Sequence, residues 1–288
     1  MGSKTPAIRF LVGLYAVLAL GAFLFLACLA QCRCPRGDSM NLIFPGADRH
    51  PEAPRFGTPL NLRLASGRSL YLLIDKEIDP AQAKAVVLYF HGNAELVEDL
   101  DYVLPFFRRE AWVTVLVEFP GFGHHPGKPG EAAFYQAALD AYDQVTREIF
   151  PGLPVIAAGW SLGTPVATYL AAKRETAHLV LISGMTSMLE VAQGLYPMTP
   201  DLFFKDAVFD TREYWPQVRE PVTLIHGDED ELVPVTMSRD MKKFWGEQAR
   251  LVEVPEAGHN DIYLRGAEAI RQELERIAKE IQSTHRGS

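Results

Sequence analysis

The segment Gly159-Trp160-Ser161-Leu162-Gly163 sets a serine between two glycines, each two residues away. That spacing is the signature of a sharp strand-to-helix turn, which projects the hydroxyl from the edge of a sheet. The residue at the apex takes a strained conformation, and side chains two positions either side would collide, so glycine is required there. A serine hydroxyl becomes a competent nucleophile only when a base removes its proton. His259, in Gly258-His259-Asn260-Asp261, is the candidate base. A carboxylate must then hold the imidazole in one tautomer and stabilise the imidazolium. The acidic turn Asp228-Glu229-Asp230-Glu231 offers one, with Asp230 favoured over Asp228. Backbone N–H groups must also face the oxyanion that develops during acyl transfer. The Leu162 N–H, just after the nucleophile, supplies one. The loop His91-Gly92-Asn93-Ala94 supplies the other, through Asn93.

Each of these signals has a bland counterpart. A serine between glycines is often a plain turn, an acidic turn is often only solvated, and a loop histidine usually lies at the surface. Context separates the readings. The apolar strand Val155-Ile156-Ala157-Ala158 enters the elbow, and Val166 to Ala172 leaves it as a helix, with Pro165 in the first turn where a missing N–H costs little. The acidic turn follows the apolar run Val222 to Ile225, and His259 follows Leu251 to Val254. Asn260 or Asp261 suits a helix cap better than a chemical role. The pair His124 and His125 has no carboxylate or cysteine pattern around it and reads as loop rather than metal site.

The elements that position these residues alternate along the chain. Leu60 to Leu64 and Ser69 to Ile74 alternate in polarity around Ser66-Gly67, which predicts an antiparallel hairpin. Ala85 to Phe90, Val113 to Val117, Val155 to Ala158, Leu179 to Ile182, Val222 to Ile225 and Leu251 to Val254 are unbroken apolar runs. Such runs suit parallel strands covered on both faces. Helical spacing of Phe134, Ala138, Ala141, Tyr142, Val145 and Ile149, and of Ile270, Leu274, Ile277 and Ile281, places helices between them. The expected fold class is therefore α/β, with a mostly parallel, doubly wound sheet. Residues 184–220 break the rhythm with Met185, Met188, Leu195, Tyr196, Phe203 and Phe204, and read as a short helical cap.

The N-terminus has a different character. Phe10 to Ala30 is uncharged and apolar, long enough as a helix to span roughly 30 Å of hydrocarbon. It reads as a retained signal anchor, a cleaved signal peptide or a lipoprotein signal. The three cysteines, Cys28, Cys32 and Cys34, cluster at its end, so the folded part carries no disulfide framework. Leu29-Ala30-Gln31-Cys32 is similar to a lipobox, with Gln31 where a small residue is usual, and the cysteines also suit juxtamembrane palmitoylation. Residues 1–34 are thus the expected signal or anchor segment, 35–56 a linker and 57–288 the folded domain. Lys4 and Arg9 before the apolar run favour an outward-facing domain, and Arg33 and Arg36 after it oppose that. The net charge of -8 gives no basic surplus for a phosphate backbone, so nucleic acid is not an expected partner.

Taken together, these motifs resemble the α/β-hydrolase superfamily, in its short-capped esterase, lipase and serine-aminopeptidase-like branch. Tyr89 to Glu95 is similar to that branch's oxyanion segment. Glu118-Phe119-Pro120-Gly121-Phe122-Gly123 is similar to its fourth-strand turn, which usually opens with Asp and continues to Ser where His124 stands; neither departure is assigned a catalytic consequence. The resemblance spans roughly Gly57 to Ile281 and matches the chain order Ser161, Asp230, His259. It implies a sheet of about eight strands and a serine hydrolase needing no metal or cofactor. The expected substrate is a small-molecule acyl ester or thioester, with a medium or longer acyl chain, held near a membrane. A peptidase or amidase, and a non-catalytic binding protein, are the alternatives.

Overall fold

The computed structural model describes residues 43–49, 51–197 and 204–286. The chain divides into two units, Met1–Asp38 and Ser39–Ser288. The expected anchor at Phe10 to Ala30, with its flanking charges and cysteines, lies outside the described residues. Among the described residues no helix is long and apolar enough to cross a membrane.

Eight strands form one sheet in the order β1-β2-β4-β3-β5-β6-β7-β8. They are β1 (Thr58–Arg63), β2 (Ser69–Ile74), β3 (Ala85–Phe90), β4 (Trp112–Val117), β5 (Val155–Trp160), β6 (His178–Ile182), β7 (Val222–Gly227) and β8 (Ala249–Val254). β1 and β2 are the expected hairpin, and β2 runs antiparallel to β4. From β4 across to β8 every pairing is parallel. Each apolar run becomes a strand because side chains alternate between two covered faces. Val86, Leu88 and Phe90 of β3 thus join one core, with Phe134, Ala138, Val166 and Leu170. Val87 and Tyr89 of the same strand join the other, with Leu104, Phe107, Ile270, Leu274 and Ile277.

The helices that cover these faces are α1 (Leu104–Arg108), α2 (Glu131–Gln144), α3 (Gly163–Lys173), α4 (Met188–Leu195), α5 (Val235–Trp245), α6 (Ile262–Arg265) and α7 (Ala267–Arg286). The periodic stretch from Phe134 to Ile149 is not one regular helix. α2 passes into a π-helical turn at Val145–Ile149.

Two expectations need correction. Residues 35–56 were expected to be linker, yet Phe44 is fully buried. Its ring packs against Phe134, Phe122 and Phe209, with centroids 5.2, 6.3 and 6.2 Å away. The apolar run Leu42-Ile43-Phe44 is too short to carry a periodicity, and the Pro, Gly and Asp around it concealed a core residue. The folded body therefore starts before Gly57. The second correction concerns the cap's apolar residues, which divide. Met185 and Phe204 are buried, and Met188 packs against the core, whereas Leu195 is 42% and Tyr196 70% exposed. Phe203 lies outside the described residues.

Candidate active site

The C-terminal ends of the parallel strands carry the candidate residues. At the end of β5 the chain turns sharply into α3, with Ser161 at φ +52°, in the left-handed region. A side chain at Gly159 would lie 2.3 Å from the Gly163 carbonyl, and one at Gly163 would lie 1.9 Å from the Phe90 carbonyl. No β-carbon fits at either position, which is the collision that the spacing implied. The Ser161 carbonyl is held by the Thr164 N–H at 2.9 Å and the Thr164 hydroxyl at 2.7 Å, and its N–H donates to Ile182 O at 3.0 Å. The strained turn is therefore fixed from both sides.

Ser161, His259 and Asp230, expected from order alone, converge. Ser161 Oγ lies 3.0 Å from His259 Nε2, and His259 Nδ1 lies 2.8 Å from Asp230 Oδ2. Their residues are only 6%, 7% and 7% exposed, so bulk water barely competes with these bonds. Asp230 Oδ1 receives the N–H groups of Leu232 at 3.0 Å and Val233 at 2.7 Å. Burial works to raise the Asp230 pKa, but hydrogen bonds from His226 and His259 and from the Val233 N–H hold it well below the usual carboxylate range. Asp228 faces elsewhere, where its carboxylate accepts the Glu256 N–H at 2.7 Å.

Sequence reading missed two neighbours. His226, at the end of β7, is fully buried, with Nε2 2.8 Å from Val233 O and 3.3 Å from Asp230 Oδ2. Its Nδ1 lies 2.7 Å from Ser238 Oγ. A histidine at a strand end has no local signature, and only its spacing of four residues from Asp230 hinted at contact. Trp160 stacks on His259 at 5.3 Å between centroids and 26° between planes, which shields the imidazole from one side. Asp261 stands at the N-cap position of α6 but makes no side-chain cap there. Its Oδ1 accepts the Gly258 N–H at 2.7 Å and its Oδ2 pairs with Arg265 at 2.6 Å, which anchors the loop that carries His259.

The loop after β3 lies against the elbow. A side chain at Gly92 would meet the Trp160 ring at 2.9 Å, so glycine allows that approach. Among the described residues neither the Asn93 N–H nor the Leu162 N–H donates a backbone hydrogen bond in the turns and loops. His124 and His125 do not meet at a metal site. His124 lies over Tyr71 and 3.7 Å from Glu98, while His125 bonds the Pro126 carbonyl at 2.8 Å. Among the described residues no group of three His, Cys, Asp or Glu side chains is arranged for a metal.

This sheet order, elbow and covering helices define an α/β-hydrolase fold. A family profile for serine aminopeptidase S33 matches residues 81–205, and one for the alpha/beta hydrolase fold matches residues 201–265. The chain is 33% identical over 168 residues to an uncharacterised protein of Mycobacterium tuberculosis, covering 58% of this chain and 60% of that one. It is 32% identical over 198 residues to alpha/beta hydrolase domain-containing protein 17B of Xenopus laevis, covering 68% and 65%. The chain thus spans 60% to 65% of these relatives' own length. A Pyrococcus furiosus esterase superposes with a TM-score of 0.64 at 15% identity, over 78% of this chain and 90% of that chain. Est1E from Butyrivibrio proteoclasticus superposes with a TM-score of 0.61 at 17% identity, over 76% and 98%.

Proposed function

We propose that this protein is a serine hydrolase that cleaves carboxylic esters or thioesters through an acyl-enzyme. The single observation that carries the reading is the chain of short contacts from Ser161 Oγ to His259 Nε2 and from His259 Nδ1 to Asp230 Oδ2. Ser161 Oγ attacks the acyl carbon while its proton passes to His259 Nε2. Asp230 holds Nδ1–H and stabilises the imidazolium. The N–H groups of Asn93 and Leu162 hold the tetrahedral oxyanion. Collapse breaks the bond to the alcohol or thiol, which leaves with the proton from His259. A water molecule, deprotonated by His259, then attacks the acyl-serine, and Ser161 recovers its proton as the acid is released.

An acyl substrate is supported by the apolar character of the cap, where Leu195 and Tyr196 stay exposed. The same reading includes an N-terminal tether that keeps the domain beside lipid-derived esters. A second reading, amide cleavage, is favoured by the serine aminopeptidase description of the profile matching residues 81–205. Two measurements test the proposal. A fluorophosphonate probe should label the wild type and leave Ser161→Ala unlabelled, and unchanged turnover in that variant would refute the mechanism. In a series of p-nitrophenyl esters beside aminoacyl amides, kcat/KM should be higher for medium and long acyl chains than for acetyl esters or amides. A clear preference for the amides would select the peptidase reading.

A further inference from the structure

We infer that His91 is a positioning residue for the oxyanion loop: as an imidazolium clamped between Glu118 and the Gly92 carbonyl, it aims the Asn93 N–H. The inference rests on reading Ser161 as the nucleophile and Asn93 as an oxyanion donor. His91 and Glu118 are both fully buried. His91 Nδ1 lies 2.8 Å from Gly92 O, and Nε2 lies 2.8 Å from Glu118 Oε1. A carbonyl oxygen only accepts, so Nδ1 carries a proton. Glu118 already receives the Val97 N–H at Oε2, at 3.2 Å, and the Phe119 N–H at Oε1, at 3.1 Å. An ionised carboxylate also only accepts, so Nε2 carries a proton too. The ring is then a cation whose burial is offset by its paired carboxylate.

The consequence lies in one peptide plane. Gly92 C=O and Asn93 N–H belong to the same peptide unit, and a trans unit points them in opposite directions. Gripping the carbonyl therefore sets the direction of the N–H, and a charged donor on the carbonyl polarises that N–H further. The rest of this segment is tied down independently. Asn93 O accepts the Gly46 N–H at 3.1 Å, Asn93 Nδ2 donates to Ile43 O at 2.7 Å, and the Gly92 N–H donates to Glu95 Oε2 at 3.1 Å. The Asn93 N–H is what remains. Around His91 the other ionisable groups are Glu95 and Asp99, both acidic, with Arg49 paired to Asp99 and His125 on the Glu118 side. Burial works to lower the His91 pKa, but Glu118 and the Gly92 carbonyl outweigh it and leave it above the usual value.

The first test is independent of turnover. In ¹⁵N-labelled Ser161→Ala protein at neutral pH, imidazole NMR should show both nitrogens of His91 protonated, the signal being assigned by its loss in His91→Asn. A neutral ring bearing one proton would overturn the inference, whatever the enzyme's activity proves to be. The second test is kinetic, in the Ser161-containing protein. Glu118→Gln keeps an acceptor but removes the charge, and should lower kcat by about 10-fold with KM within about twofold, since one misdirected oxyanion donor costs up to 10²–10³. His91→Ala should lower kcat further, and His91→Asn, which keeps an N–H near Nδ1, should recover part of that loss. A rise in KM at unchanged kcat, or no recovery by Asn relative to Ala in folded protein, would make His91 merely structural. If wild-type protein shows no Ser161-dependent turnover, the hydrolase reading fails instead, and the NMR result still decides the state of His91.

Discussion

At the scale of single residues, the acid is the choice that geometry makes sharpest. Asp230 contacts His259 and receives two backbone N–H groups, whereas Asp228 bonds the Glu256 N–H in the turn after β8. Asp230→Asn should therefore lower kcat by several orders of magnitude, on the order of 10⁴, because the imidazole loses its orienting carboxylate. Asp228→Asn should change kcat by no more than about threefold, since it touches none of the reacting groups. Steady-state kinetics on one ester measures both, and reversed results would move the acid to Asp228. His226 and Trp160 belong to the same scale. They brace Asp230 and His259, and beyond the four-residue spacing of His226 from Asp230 nothing in the sequence marks that role in advance.

At the scale of elements, the segment Ile43–Arg49 does more than connect. It seats Phe44 in the aromatic cluster and shares two hydrogen bonds with the residue expected to hold the oxyanion, donating one from Gly46 N–H and accepting one at Ile43 O. A chain beginning at Pro54 loses both. It should unfold at lower denaturant than a chain beginning at Ser39, and Phe44→Ala in the longer chain should cost about 3–5 kcal/mol, as deletion of a buried phenylalanine does. Equal denaturation midpoints for the two chains would show that the segment only lies on the surface. The cap follows the same logic. Phe209 and Trp215 are recruited into the core, so apolar composition there reports packing as well as substrate contact.

At the scale of the whole molecule, stability should depend on pH through His178. It is buried at the start of β6 with Nε2 2.9 Å from Thr223 Oγ1. Burial first, and then nearby Arg276, push its pKa from 6.5 down to about 3. The unfolded chain thus binds a proton between those values that the folded chain does not, so acidification through that window destabilises the fold, by up to about 1.4 kcal/mol per pH unit. His178→Asn removes this linkage. The stability advantage of wild type over the variant should shrink as pH falls from 6.5 to 3, as read from denaturant midpoints, and a constant difference would discount the histidine. The tether is tested on the same scale. Full-length chain should fractionate with membranes, and uncleaved chain in the soluble fraction would refute the anchor.

The strands, the elbow and the order of serine, acid and histidine were legible in the sequence because they are local. An unbroken apolar run, two glycines flanking a serine, and turns after successive strands each follow from neighbours along the chain. What the tertiary structure decided are contacts between residues far apart. Asp230 rather than Asp228 meets His259 across 29 positions, Phe44 finds a core composed of later segments, and His91 meets Glu118 where β3 and β4 end side by side. Such contacts depend on strand register and on which direction a buried side chain faces. A periodicity of two or 3.6 residues sets the facing of an element, but it leaves open which partner waits on the other side.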